Sequence, residues 1–180
     1  MELKEEFLLR VAKNLVEQVS QNTQNVLSES QELKSRASQQ GFWASAKTLA
    51  TAQGLINELK NNLNLAINLC NKVLTSNPDA KIQGEITAKQ IQSDAYFQLG
   101  LISFLERRFR DAVEYYNKSL SLLPDQSTYL NLGLCFLQIK GVFSDKTPDA
   151  IAAFQKCIEI DPNSDIAVSA GMELARLGKL

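Results

Sequence analysis

Residues 93–126 read SDAYFQLGLISFLERRFRDAVEYYNKSLSLLPDQ, and this stretch decides the fold. Tyr96, Leu99 and Gly100 sit on one side of a charged break, Glu106-Arg107-Arg108-Phe109-Arg110-Asp111. Beyond it, Ala112, Tyr116, Ser119 and Leu120 recur at three- and four-residue steps up to Pro124. Such steps place apolar side chains on one face of a helix, and no period-two alternation of the kind a strand needs appears. Proline cannot donate the next backbone hydrogen bond and restricts its predecessor, so Pro124 ends the second helix. The stretch therefore predicts two helices joined by a turn near Phe109.

The same marks return on either side. Pro78, Pro124 and Pro162 each lie 12 residues after an alanine, namely Ala66, Ala112 and Ala150. Gly133 and Gly171 lie nine residues after Pro124 and Pro162, while Gly54 and Gly100 precede Ala66 and Ala112 by 12. This pattern resembles the tetratricopeptide repeat, a helix–turn–helix unit of roughly 34 residues. One copy covers residues 93–126, with Tyr96 where the family usually has tryptophan. A second covers 126–164, with Tyr129, Leu132-Gly133, Phe136, Ala150, Phe154, Ile158 and Pro162. A weaker copy covers 47–80, with Gly54, a turn at Asn61-Asn62-Leu63, then Ala66, Cys70, Leu74 and Pro78. The resemblance implies an all-α fold: helical hairpins in a right-handed superhelical stack, with a helical extension over 1–40 and a repeat domain over 41–180 closed by a capping helix at 165–180. Gly100 and Gly133 are expected to face Ala112 and Ala150, so that paired backbones approach closely.

Three places depart from the pattern. Pro78 to Gly100 spans 22 residues rather than nine, and Ile82, Ile86 and Ile91 suggest one overlong helix from Asp79 to Glu106, weakened at Gly84. Gly133 to Ala150 spans 17 residues rather than 12, which puts five extra residues in the turn around 141–147, with Thr147 read as an N-cap before Pro148. Ahead of the repeats, Leu3, Phe7, Val11, Leu15 and Val19 step by four, with Leu8, Ala12 and Val16 beside them. The segment reads either as a long helix continuing through the polar stretch to Gly41, which we favour, or as a short helix and a loose linker, its apolar stripe packing on the chain's own repeats or on a second copy. Trp43 and Phe42 serve as a hydrophobic anchor at the next helix entry.

Composition narrows the function. Nineteen basic and 20 acidic side chains leave a net charge of −1, which offers no long-range attraction to nucleic acid or an anionic membrane. No apolar run approaches the ~20 residues of a membrane span. The acidic opening Met1-Glu2-Leu3-Lys4-Glu5-Glu6 is unlike a secretory signal, and the three unpaired cysteines read as reduced thiols, so a cytoplasmic protein is expected. The chain contains no histidine, which removes the commonest general base and the usual zinc ligand. No glycine-rich phosphate loop or nucleophile motif appears either. Neither an enzyme nor a cofactor is expected. Cys70 and Cys157 are read as core residues, and the Arg107–Arg110 cluster as a solvated turn.

In the resembled family, one stripe of each first helix lines a concave groove. That stripe here holds Leu55, Leu59, Phe97, Leu101, Phe104, Leu130, Asn131, Leu134 and Leu137. Some family members grip a carboxylate with basic residues on these helices; this stripe is leucine and phenylalanine, and only Asn131 is polar. The resemblance thus implies a protein-interaction module, an adaptor or assembly factor, holding a polypeptide segment in an apolar groove. The alternative is a self-associating structural protein, a homodimer through its N-terminal helix, with the groove filled by that helix.

Overall fold

The computed structural model describes residues 4–37, 42–82, 85–139 and 145–178, with side chains described over 4–25, 53–82, 85–139 and 145–178. Two units divide the chain, Met1–Ile91 and Gln92–Leu180.

The first unit is a long helical hairpin. Helix α1 (Lys4–Ala37) packs on α2 (Phe42–Ser76). Leu9, Ala12, Val16, Val19 and Thr23 are buried on α1, and Leu59, Leu63, Ala66, Cys70 and Val73 on α2. Both sets step by alternating threes and fours, the spacing that keeps a seam facing a partner helix. Each buried leucine or valine in such a seam contributes about 1.5–3 kcal/mol. The N-terminal segment is thus a helix, as expected, but its buried stripe is rotated from the sequence reading: Leu9 is buried while Phe7 is 56% exposed.

Helix α2 overturns an expectation. It runs without a break through Asn61-Asn62-Leu63, where a turn between paired helices was read. Leu59, Leu63 and Ala66 continue one seam across that point, and burial outweighs the weak helix propensity of two asparagines. Gly54, which keeps the repeat's spacing, has no atom within 4 Å of where a Cβ would stand. Residues 47–77 therefore form no helix pair; they belong to one helix that ends at Ser76, two residues before Pro78. The side chains of Phe42 and Trp43 lie outside those described.

The overlong helix read from Asp79 to Glu106 is also corrected. Strands β1 (Lys81–Ile82) and β2 (Ile86–Thr87) pair antiparallel, with Ile82 opposite Ile86, and α1 packs on β1. Helix α3 (Ala88–Leu105) starts only after this ribbon. Its start is set by a capping box: Thr87 N–H donates to Gln90 Oε1 at 2.7 Å, and Gln90 N–H donates to Thr87 Oγ1 at 3.3 Å. Gly84 lies outside the described residues.

The second unit stacks helices in the expected order. α4 (Phe109–Leu122), α5 (Gln126–Gln138), α6 (Thr147–Ile160) and α7 (Asp165–Arg176) pack successively, and α7 also reaches α5. Pro124 and Pro162 follow the ends of α4 and α6 by two residues, as Pro78 follows α2. Arg107, in the turn between α3 and α4, has φ 62°, a left-handed conformation uncommon outside glycine.

The atoms nearest to two of the glycines belong to a ring on the following helix. A Cβ on Gly100 would stand 2.4 Å from Tyr116 Cε1, and one on Gly133 would stand 2.5 Å from Phe154 Cε1. Ala112 and Ala150 are fully buried one turn earlier on α4 and α6. The aromatic ring lies across the glycine, and this is what holds each hairpin close.

A polar tie repeats with the hairpins. Ser93 Oγ donates to the Ser119 carbonyl at 3.1 Å, and Gln126 Nε2 donates to the Cys157 carbonyl at 2.9 Å. Ser93 and Gln126 occupy matching places in the two repeats, as do Ser119 and Cys157. Gln126 Nε2 also donates to the Asp161 carbonyl at 2.8 Å, and Gln126 Oε1 accepts from Ser164 Oγ at 2.7 Å. Carbonyls at the end of α6 that the helix leaves unpaired are thereby satisfied. Ser164 in turn caps α7, accepting from Ala167 N–H at 3.0 Å.

Helix α6 begins at Thr147 rather than after it. Its N-cap position is Lys146, Asp145 Oδ1 accepts from Thr147 N–H at 2.9 Å, and Pro148 lies in the first turn as read. Those hydrogen bonds from Thr147 hold the Asp145 carboxyl below its usual range. Of the turn's extra residues, 141–144 lie outside the described residues.

Candidate protein-binding face

Helices α3 and α5 each carry two apolar faces. One is fully buried: Leu99 and Ile102 on α3, Leu132 and Cys135 on α5. The other is left half-buried. On α3 it comprises Phe97, Leu101 and Phe104, which lean on a cluster of Ala112, Tyr116, Leu132, Cys135 and Ala153. On α5 it comprises Leu130, Leu134 and Leu137, which lean on Ala150, Phe154, Cys157, Ala170 and Leu174. These two stripes match residue for residue at an offset of 33. Each steps by four and then three, so each lies along one side of its helix.

Ring contacts fix part of this face. Phe97 meets Tyr116 with centroids 5.9 Å apart and planes at 45°, and Phe104 meets Phe109 edge-on at 5.4 Å. Asn131 is half-buried beside the leucines, and its Nδ2 donates to the Ser127 carbonyl at 2.8 Å within its own helix. One of its two N–H donors is thus occupied.

Leu55 and Leu59 lie on a different helix. Both belong to α2 in the other unit; Leu59 is a seam residue against α1 at 3% exposure, while Leu55 is 37% exposed. Because α2 is a hairpin helix and not the first helix of a repeat, Leu59 has no face left to offer. The candidate face therefore consists of the α3 and α5 residues.

One arginine of the basic turn is held by acidic neighbours. Arg108 pairs with Asp111, and with Glu106 at 3.6 Å. Arg107, Arg108, Phe109, Arg110, Asp111, Gln138 and Ile139 line a shallow pocket of about 350 Å³ there. Phe109 is half-buried against Phe104, so it props the turn instead of projecting from it.

The buried cysteines are packing residues. Cys70, Cys135 and Cys157 are all free and buried. Burial pushes the Cys70 and Cys135 thiols up to about 12 and raises Cys157 as well, so none supplies a thiolate near neutral pH. Burial, with the neighbouring Cys135, also raises the Tyr116 phenol. Among the described residues, no group of three or more acidic or cysteine side chains is placed to hold a metal ion. No described helix is long and apolar enough to cross a membrane.

Family models for the tetratricopeptide repeat match residues 93–126 and 127–164, the two hairpins built on Gly100 and Gly133. Residues 93–164 are thus two tetratricopeptide repeats. No curated protein matches it. The family models end before α7 and begin after the α1–α2 hairpin. Tetratricopeptide repeats are a protein-interaction architecture, and the half-buried stripes belong to the first helix of each matched repeat. Sequence reasoning missed the capping box that opens the first of these helices, although Thr87-Ala88-Lys89-Gln90 carries its signature.

Proposed function

We propose that this chain, with its two tetratricopeptide repeats, is a non-enzymatic adaptor or assembly factor that holds a polypeptide segment against α3 and α5, in the cytoplasm. The observation that carries the reading is the pair of matching half-buried stripes, Phe97/Leu101/Phe104 and Leu130/Leu134/Leu137. Apolar side chains on adjacent repeats, left partly in water after the core is complete, suit the apolar face of a helix or extended segment. The scarcity of basic residues on this face argues for an apolar rather than an acidic ligand.

The test replaces Leu101 and Leu134 by glutamate together. Proteins recovered on the parent chain and identified by mass spectrometry should be lost on the double variant, while far-UV circular dichroism stays unchanged. A folded double variant that recovers the same proteins with equal yield would move the site away from this face.

A further inference from the structure

Helix α7 repeats the residue pattern of α5, with one side covered by no described residue. Val168, Gly171, Met172 and Ala175 match Leu130, Gly133, Leu134 and Leu137 at an offset of 38. On α5 these positions are covered: Phe154 crosses Gly133, and residues of α6 and α7 pack on the leucines. On α7 they are open. Val168 is 54% and Met172 67% exposed, and no atom lies within 4 Å of where a Cβ on Gly171 would stand. No further helix follows α7 among the described residues. The opposite side of the same helix, through Ala167, Ala170 and Leu174, is buried in the stack. α7 is thus apolar on two sides with only one of them covered.

We infer that this open side is an interface between two copies of the chain, with α7 packed antiparallel on α7 and crossing at Gly171. Charge selects the occupant and the direction. Asp165 lies in the first turn of α7, and Arg176, which pairs with Glu173 of its own helix at 2.7 Å, in the last. An antiparallel pair crossing at Gly171 sets each Asp165 beside the other copy's Arg176, and each helix N-terminus beside the other's C-terminus. A parallel pair would place like charges together. Gly171 at the crossing lets the backbones approach, so that Met172 and Val168 of each copy cover the other's glycine. A 12-residue helix pair buries less than the ~1,200 Å² typical of stable interfaces, so the association is weak and reversible.

Sedimentation velocity on the full chain from micromolar to near-millimolar concentration tests this. The 20.0 kDa monomer should convert toward a dimer as concentration rises. Met172→Glu should weaken dimerisation at least tenfold without altering far-UV circular dichroism. Asp165→Arg should weaken it as well, and adding Arg176→Asp should restore it. Under oxidising conditions Gly171→Cys should give a covalent dimer, where Gly54→Cys on the exposed side of α2 does not. A chain that stays monomeric throughout overturns the inference. So does dimerisation indifferent to Met172→Glu, a charge exchange that restores nothing, or equal cross-linking by the two cysteine variants. The Leu101 and Leu134 pair plays no part in these measurements, so the binding proposal stands or falls separately.

Discussion

A close ring contact in the second unit sets up a comparison among three glycines that are all helical. A Cβ at position 133 would stand 2.5, 2.7 and 2.8 Å from Phe154 Cε1, Cδ1 and Cζ. Carbon atoms settle at about 3.5–4.0 Å, so the ring would have to retreat by roughly 1 Å. Phe154 is fully buried, and overpacking of that kind costs about 1–3 kcal/mol. Alanine also returns about 1 kcal/mol of helix propensity, leaving Gly133→Ala somewhere between neutral and about 2 kcal/mol destabilised. Gly171→Ala and Gly54→Ala gain the same propensity and meet no atom within 4 Å, so both should stabilise by about 0.5–1 kcal/mol. Propensity cancels between Gly133→Ala and Gly171→Ala, which lie at corresponding places in one unit; a gap of about 1–3 kcal/mol remains as the measure of the ring contact. Urea unfolding followed by far-UV circular dichroism reads it, and Phe154→Leu should close most of the gap in the Gly133→Ala background. If Gly133→Ala stabilises as much as Gly171→Ala, the ring does not hold the hairpin shut and the packing argument fails.

Two further outcomes follow from burial. Leu63→Ala should cost about 2–5 kcal/mol in urea unfolding, because Leu63 is wholly buried in the α1–α2 seam; a loss under 1 kcal/mol would suit the turn read from sequence instead. The Cys70 and Cys135 thiols, held at about 12 against an ordinary 9.0, should resist alkylation at pH 8 until the chain is unfolded. Their raised values favour the folded state fully below pH 9, and that advantage is lost as pH climbs toward 12, by about 1.4 kcal/mol per pH unit for each thiol. A urea midpoint that holds steady between pH 8 and 10 would contradict this.

The two matched repeats were legible because their marks are steric. A glycine that must admit a ring and a proline that must end a helix leave the same spacing wherever the hairpin recurs. The partner of the glycine was not legible in the same way. Alanine and the aromatic both stand on the packed side of the second helix, four residues apart, and spacing alone does not say which one crosses the glycine. The 47–80 segment misled for a related reason. Gly54, Ala66 and Pro78 keep the repeat's intervals, yet Gly54 is exposed and meets nothing. What decides there is the unbroken three–four seam from Leu59 to Val73, which needs a partner as long as α1. The Thr87–Gln90 capping box was readable and outranks the isoleucine spacing that suggested a continuous helix.

The same distinction bears on where a partner can bind. A helix with one apolar seam needs one neighbour, and α1 and α2 each find theirs in the other. Among the described residues, what they leave exposed is scattered, with Phe7 on α1 and Leu55 and Leu65 on α2. Helices α3 and α5 carry a seam and a second stripe, which is more apolar surface than a single neighbour covers. Part of the second stripe is taken up by the next helix of the stack, so Leu130, Leu134 and Leu137 are half-buried and not open. On α7 no later helix among the described residues covers the equivalent stripe, and Met172 is the most exposed of its residues at 67%. Exposure of this stripe is thus higher on α7 than on α5. That gradient ties the proposed ligand face on α3 and α5 to the self-association proposed at α7: both are the repeat's stacking surface, partly covered in one place and uncovered in the other.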